Sequence, residues 1–347
     1  MPKLVTLMIV SSLFFLLNAC QLKPPISANE ILSAHPLLDK IWSVKEQQFI
    51  NLASLQKRMV AQDYIFLGET HDNARHHQLQ AQFIHHLSSK NKSLSVAFEM
   101  LNKNQQTIID HFTAHYYANN SSNNTIKTTA EITDIFAREI NWQQSGWPEW
   151  SYYRPIFYQT LQAQAQIIAA NLSLKQIRQL IKKGRQTLND DYQQLLDKYH
   201  YDKITEARLL QEVQAAHCNM LPESMLSPML MAQQVRDLAM MRAIQPSEQS
   251  LHSQTLLIAG SGHTRTDYGI PFYLNQEYPL LKKSSIAFIE VSDDKPLVSD
   301  YAQVWGETNK QLPFDYVWFT HRAERKDPCK KMKLHMQKKA NSVKPSK

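Results

Sequence analysis

Short apolar runs interrupt an otherwise polar chain at residues 64–67, 94–98, 166–170 and 255–259. They are rich in Ile, Leu, Val and aromatic side chains, and each gives way to polar or Gly residues. Strands covered on both faces, as in a largely parallel sheet, carry this pattern. Residues 285–291 and 315–320 read as further strands. Between the strands the spacing turns helical: over 73–88, His76, Leu79, Phe83 and Leu87 recur on one helix face. His77, His85 and His86 on the same helix are expected to face solvent. Residues 174–243 hold long Gln/Leu/Lys/Arg/Met runs broken at Gly184, Pro222 and Pro228. They predict an inserted helical subdomain of roughly three or four helices over about 174–245. Residues 117–127 read as a polar loop. The expected fold is α/β, a mostly parallel sheet flanked by helices with that subdomain inserted, in a body spanning 45–320.

Composition agrees with a folded body: of 347 residues, 43% are hydrophobic and 20% charged, which excludes disorder of the whole chain. The net charge of +7 is a property of the end and not of the fold. Residues 320–347 carry ten Lys/Arg against Glu324 and Asp327, and residues 20–319 come to −2. A basic groove for nucleic acid is therefore not expected. The tail, 321–347, reads as a solvated, disordered end.

At the other end, Lys3 and the apolar stretch 4–17 form the charged and hydrophobic parts of a secretory signal, too short to span a membrane comfortably. The segment closes Leu17-Asn18-Ala19-Cys20, which resembles a bacterial lipobox. Residues 1–19 would then be removed, Cys20 would carry the lipid (palmitate among its acyl chains), and 20–44 would be a tether. Gln21, rather than Asp, after the cysteine suggests sorting to the outer membrane, on a leaflet the sequence leaves open. Cys218 and Cys329 would share an oxidising compartment, in which two cysteines often pair.

The chemistry sits where the strands end. Residues 64–67 exit into Gly68-Glu69-Thr70-His71-Asp72; 94–98 into Glu99; 166–170 into Asn171; and 255–259 into Gly260-Ser261-Gly262-His263. Ligands of open parallel sheets bind beyond the carboxyl ends of the strands, so Glu69, His71, Glu99 and His263 are expected to converge there. Two imidazoles and a carboxylate suit a divalent metal, with the second carboxylate free to activate water. Without a metal, neighbouring carboxylates push each other's pKa apart and a histidine can shuttle a proton. Asp72 or Asn73 can cap the following helix.

The stretches Tyr64-Ile-Phe-Leu-Gly-Glu-Thr-His-Asp-Asn73, Val96-Ala-Phe-Glu99 and Ile258-Ala-Gly-Ser-Gly-His263 resemble the ChaN family, haem-binding bacterial lipoproteins grouped with Tiki, TraB and erythromycin-esterase-like proteins. Gly146-Trp-Pro148, Tyr152-Tyr-Arg-Pro155, Ala169-Ala-Asn-Leu-Ser173 and Ala232-Gln-Gln-Val-Arg-Asp237 with Met240-Met241 are similar too. The resemblance implies haem as cofactor, a link to iron acquisition through haem-uptake machinery, and a homodimer around stacked haems. It places the superfamily's polar cluster on Glu69, His71, Glu99 and His263.

Haem needs an apolar slot and an axial ligand. Tyr153 is the first candidate, because the adjacent Arg154 would favour its phenolate; His217, Met220 and His76 are the others. Two functions follow from different classes: a non-enzymatic haem carrier on the outer membrane, or a metal- or acid–base-assisted hydrolase using the Glu/His cluster. A third treats the cluster as an inert inheritance of an interaction module.

Overall fold

The computed structural model describes residues 34–334 apart from 91–92, 122–127, 248–252, 303–310, 326, 328 and 331. Its centre is an eight-stranded sheet in the order β2-β1-β8-β7-β3-β6-β4-β5. Strands β3 (Tyr64–Glu69), β4 (Ser93–Asn102), β5 (Gln166–Asn171), β6 (Ser253–Gly260), β7 (Lys283–Glu290) and β8 (Tyr316–Thr320) run parallel. Every residue of β3 is buried, as its position between β6 and β7 requires. β1 (Ile41–Ser43) pairs antiparallel with β8 and with β2 (Gln48–Ile50). This hairpin corrects the sequence reading of 20–44 as tether: the sheet begins before residue 45. Three-residue strands are too short to show an alternation that sequence can detect.

Alternation along the strands feeds two cores. Ile65, Leu67, Val96 and Phe98 pack with α1 (Leu52–Val60), α2 (Ala74–Ser88), α3 (Gln106–Ser121), α4 (Thr129–Glu139) and α5 (Trp150–Gln162). Phe66, Ala97, Leu257 and Ala259 face the other way. They meet α6 (Leu174–Lys183), α7 (Asp190–Lys198), α9 (Glu223–Ala243) and α10 (Ile270–Glu277). With α8 (Lys203–Ala216), helices α6 to α9 fill the stretch between β5 and β6 that the sequence assigned to an inserted subdomain. Pro228 lies inside α9 instead of breaking it. Residues 117–121 continue α3, so the polar loop begins later than the low-complexity composition suggested.

As far as it is described, the C-terminal segment is exposed, as a solvated tail would be, but it is tied down rather than free. Arg325 pairs with Asp72 and Glu290, and Cys329 is bonded to Cys218 with the Cα atoms 5.6 Å apart. Fixed carboxylates and a disulfide outweigh the tail's basic composition, which reports only average solvation. Among the described residues no helix is long and apolar enough to cross a membrane; the signal, the lipobox and most of the tether lie outside the described residues.

Candidate functional site

The four predicted residues do converge at the carboxyl-end edge of the sheet, Glu69 and Glu99 from within β3 and β4 and His71 and His263 from the turns after β3 and β6. Glu69 is the last residue of β3, in register with Gly260 at the end of β6. The β4–β5 register shifts between Phe98 and Asn102, bracketing Glu99, and such irregularities re-aim side chains near functional sites. His71 stands on the turn after β3 with its Nδ1 2.9 Å from Glu69 Oε1. Carboxylate oxygens only accept, so Nδ1 donates there and Nε2 carries the lone pair when the ring is neutral. Gly260 makes room for that ring: a Cβ at this position would lie 2.8 Å from His71 Nε2.

Glu99 is the hub. Its Oε1 accepts from Arg236 Nη2 at 2.5 Å and lies 3.2 Å from His263 Nε2; its Oε2 accepts from the Gly260 amide and lies 3.8 Å from His71 Nε2. On the far side His263 Nδ1 is 2.5 Å from Asp237 Oδ1. Asn171, the fourth strand exit, holds the Glu99 carbonyl through Nδ2 at 2.9 Å. The carboxylates and His263 are buried, whereas the His71 side chain is 36% exposed and is the cluster's opening to solvent.

Burial opposes charge throughout, and the neighbours reverse it. Desolvation disfavours the Glu99 anion, but His263, Arg236 and His71 hold its carboxyl well below the ordinary range. Desolvation likewise works against protonated His263, yet Glu99 and Asp237 on either side push its pKa up, to about 9. His71 is raised against its own burial by Glu99 and Glu69. Burial resists ionisation of Glu69 as well, and His77 and His71 overcome it, leaving the pKa well below the usual value. The result is two short rows of acids and bases, Tyr153–Glu69–His71 and Glu99–His263–Asp237, that face each other with His71 Nε2 3.8 Å from Glu99.

Other predicted residues are placed differently. Tyr153 is fully buried and donates its hydroxyl to Glu69 Oε1 at 2.6 Å. Burial and the Glu69 charge drive its pKa upward, so it is a neutral phenol and not the expected phenolate ligand. Arg154 points elsewhere, to Asp134 at 2.7 Å, because consecutive helical residues diverge by about 100°. His76 is a core histidine: Nδ1 accepts from the Thr70 amide, Nε2 meets Thr320 Oγ1 at 2.7 Å, and burial lowers its pKa to about 3. His77, expected at the surface, is fully buried with Nε2 3.2 Å from Glu69 Oε2. His217 caps α8 and donates Nδ1–H to the Val213 carbonyl at 2.7 Å, leaving Nε2 for another partner. Met220 follows in the partly exposed turn before α9.

Residues missed as site members are Arg236, Asp237 and His77. The stretch holding Arg236 and Asp237 stood out by family likeness, but helical spacing alone gives no reason to aim a buried Asp at a strand exit. A divalent metal does not fit this arrangement: Glu99 is already neutralised by Arg236 and His263, and among the described residues no group of three or more His, Cys, Asp or Glu could hold a metal ion.

Beside the cluster opens a cleft of about 370 Å³, with Glu99 and Arg236 in its lining and Trp147, Leu172, Leu174 and Ile108 among its apolar walls. Ile108 and Leu174, both in this lining, are 46% and 57% exposed. Trp147 packs edge-on against His71, centroids 4.9 Å apart, and so joins cleft to cluster.

A mixed α/β sheet with a strand-end Glu/His cluster and a flanking apolar cleft thus defines the class of protein. Residues 55–274 match the family described as haem-binding uptake, Tiki superfamily, ChaN, and the chain belongs to that family. Among solved structures, ChaN of Campylobacter jejuni with cofacially bound heme aligns with a TM-score of 0.61 at 23% identity, covering 80% of this chain and 95% of that one. Erythromycin esterase EreC aligns more loosely, with a TM-score of 0.42 at 10% identity over 84% of this chain and 99% of that one. No curated protein sequence matches the chain.

Proposed function

We propose that this protein is a haem-binding lipoprotein of the outer membrane that takes part in haem uptake. The observation that supports it, beside the family, is the cleft: its mouth carries exposed Ile108 and Leu174, suited to the flat apolar face of a porphyrin, and its lining includes Arg236, a cation within reach of a carboxylate. Bound haem would supply an iron that accepts an axial nitrogen or oxygen donor. His71 fits that role, with Nδ1 fixed by Glu69 and Nε2 left as the lone-pair atom beside Trp147 of the cleft, whereas His217, on the turn before α9, is not part of the cleft's lining. Trp147 would shield the haem face from water next to His71. Two such apolar mouths brought together would bury their exposed Ile and Leu, which supports a haem-bridged homodimer.

Titration of the apoprotein with hemin tests the reading. A saturable Soret shift is expected, weakened about tenfold in Trp147→Ala and changed in line shape by His71→Ala but not by His217→Ala. Absence of a saturable shift overturns it. Incorporation of a labelled fatty acid, lost in Cys20→Ala, tests the anchor.

A further inference from the structure

The geometry points to Arg325 as a positioning residue for the turn that carries His71, held at its post by the Cys218–Cys329 disulfide. The turn from Thr70 to Asn73 is held on two sides, its His71 carbonyl also accepting from the Tyr153 hydroxyl at 3.4 Å. Its inner side is tied by the Thr70 amide to His76 Nδ1 and by the Asn73 amide to the Thr70 carbonyl. Its outer side is tied by Arg325 alone among the described basic residues. That guanidinium gives Nε to Asp72 Oδ2 at 2.8 Å and Nη2 to Asp72 Oδ1 at 2.7 Å, while Nη1 and Nη2 reach Glu290 Oε2 and Oε1 at 2.7 and 2.5 Å. Two forks on one cation join the turn after β3 to the end of β7. Asn73 completes the bracket, its Nδ2 donating to Glu290 Oε1 and to the His321 carbonyl. Asp72 is the neighbour of His71, so a displaced Asp72 displaces the ring that bridges Glu69 and Glu99.

What keeps Arg325 there lies four residues on. Cys329 is bonded to Cys218, on the turn between α8 and α9, where Cys218 and Asn219 both take positive φ. Helix α9 carries Arg236 and Asp237 into the other half of the cluster. The segment after β8 therefore spans from the β3 exit to the helical subdomain, and the disulfide fixes its far end. A chain end without that bond would sample many conformations, and each would weaken the Arg325 bracket by competition.

The test is hydrogen exchange of the Thr70 and Asn73 amides in the full chain, comparing wild type, Arg325→Met, Arg325→Lys and the double variant Cys218→Ser/Cys329→Ser. Exchange about tenfold faster is expected in Arg325→Met, as a lost charged bracket of this kind implies. Arg325→Lys should not restore it, since an ammonium cannot present two forks. The cysteine double variant should show the same change at Thr70 and Asn73 while both amides still exchange faster than those of Val96 and Ala169 in the far strands, which report only the disulfide's share of global stability. Unchanged exchange at Thr70 and Asn73 in Arg325→Met overturns the role of Arg325. Unchanged exchange in the double variant alone overturns the role of the disulfide. Should either variant fail to fold, the other still reads the same amides. Because the inference concerns the proposed haem site, hemin affinity is measured in parallel: a wild type that binds no hemin sinks the haem reading while the exchange data still decide the bracket.

Discussion

At the scale of single residues, the cluster is built from side chains that cannot be exchanged independently. Gly260 has no conspicuous backbone angle, yet a methyl group there would meet His71 at both Nε2 and Cε1, 2.8 and 3.0 Å away. Gly260→Ala should push the ring out of line, cost about 1–3 kcal/mol of stability and weaken hemin binding; a urea unfolding midpoint within error of wild type would contradict this. The same scale shows how far sequence reasoning reaches. Glu69, His71, Glu99 and His263 were legible because each lies within four residues of the end of an apolar run, so the strand geometry carries it to the rim. Tyr153 was misjudged because Arg154 is its neighbour in sequence but not in space: the helix turns one toward Glu69 and the other toward Asp134. His77 went unrecognised because the buried arc of α2 is wider than its apolar stripe: it takes in His77, Gln80 and Ile84 beside His76, Leu79, Phe83 and Leu87, and leaves Gln78, Gln82 and His85 outside.

At the scale of elements, α5 holds the site's floor in place. Phe157 stacks on Phe98 of β4 at 4.4 Å and packs against Phe136, Trp142 and Trp150. From the same helix Tyr153 reaches Glu69. Phe157→Ala removes a fully buried ring from this stack and should destabilise by about 3–5 kcal/mol, seen as a lowered thermal midpoint; a change below 1 kcal/mol would show that the stack is not the support described here. The six parallel strands and the inserted helices were legible because they are long or strongly apolar. The β1–β2 hairpin was not, since three residues with one face exposed leave too little pattern, and its register is set by β8 rather than by its own composition. Pro228 misled for another reason: it lies in the second turn of α9, where it gives up one backbone hydrogen bond that the packing of the rest of the helix outweighs.

For the whole molecule, the buried charges set a pH dependence with a definite sign. His263 titrates near 9 when folded against about 6.5 when unfolded. A raised pKa means stability that is fully present below the unfolded value and lost as pH rises through the folded one. Unfolding free energy should therefore fall on the order of 2–3 kcal/mol between pH 6.5 and 9.5 from this group, and His263→Gln should flatten that slope in urea titrations at several pH values. A slope unchanged in the variant would mean that His263 is not held as a cation between Glu99 and Asp237. The anchoring of the C-terminal segment belongs to this scale too. Its basic composition predicted solvation, and only the folded chain brings Asp72, Glu290 and Cys218, each from a different part of the sequence, to meet it.

The edge-on packing of Trp147 against His71 gives the molecule an optical consequence. Trp147 lines the cleft while Trp142 and Trp150 form a pair with centroids 5.3 Å apart on the neighbouring segment, so three of the six indoles crowd one side of the fold. A porphyrin seated in that cleft would darken their emission before that of Trp318, which lies on the same face of the sheet but several strands away, on β8. The unlabelled chain thus carries its own fluorescent gauge of occupancy, readable in membranes or in solution.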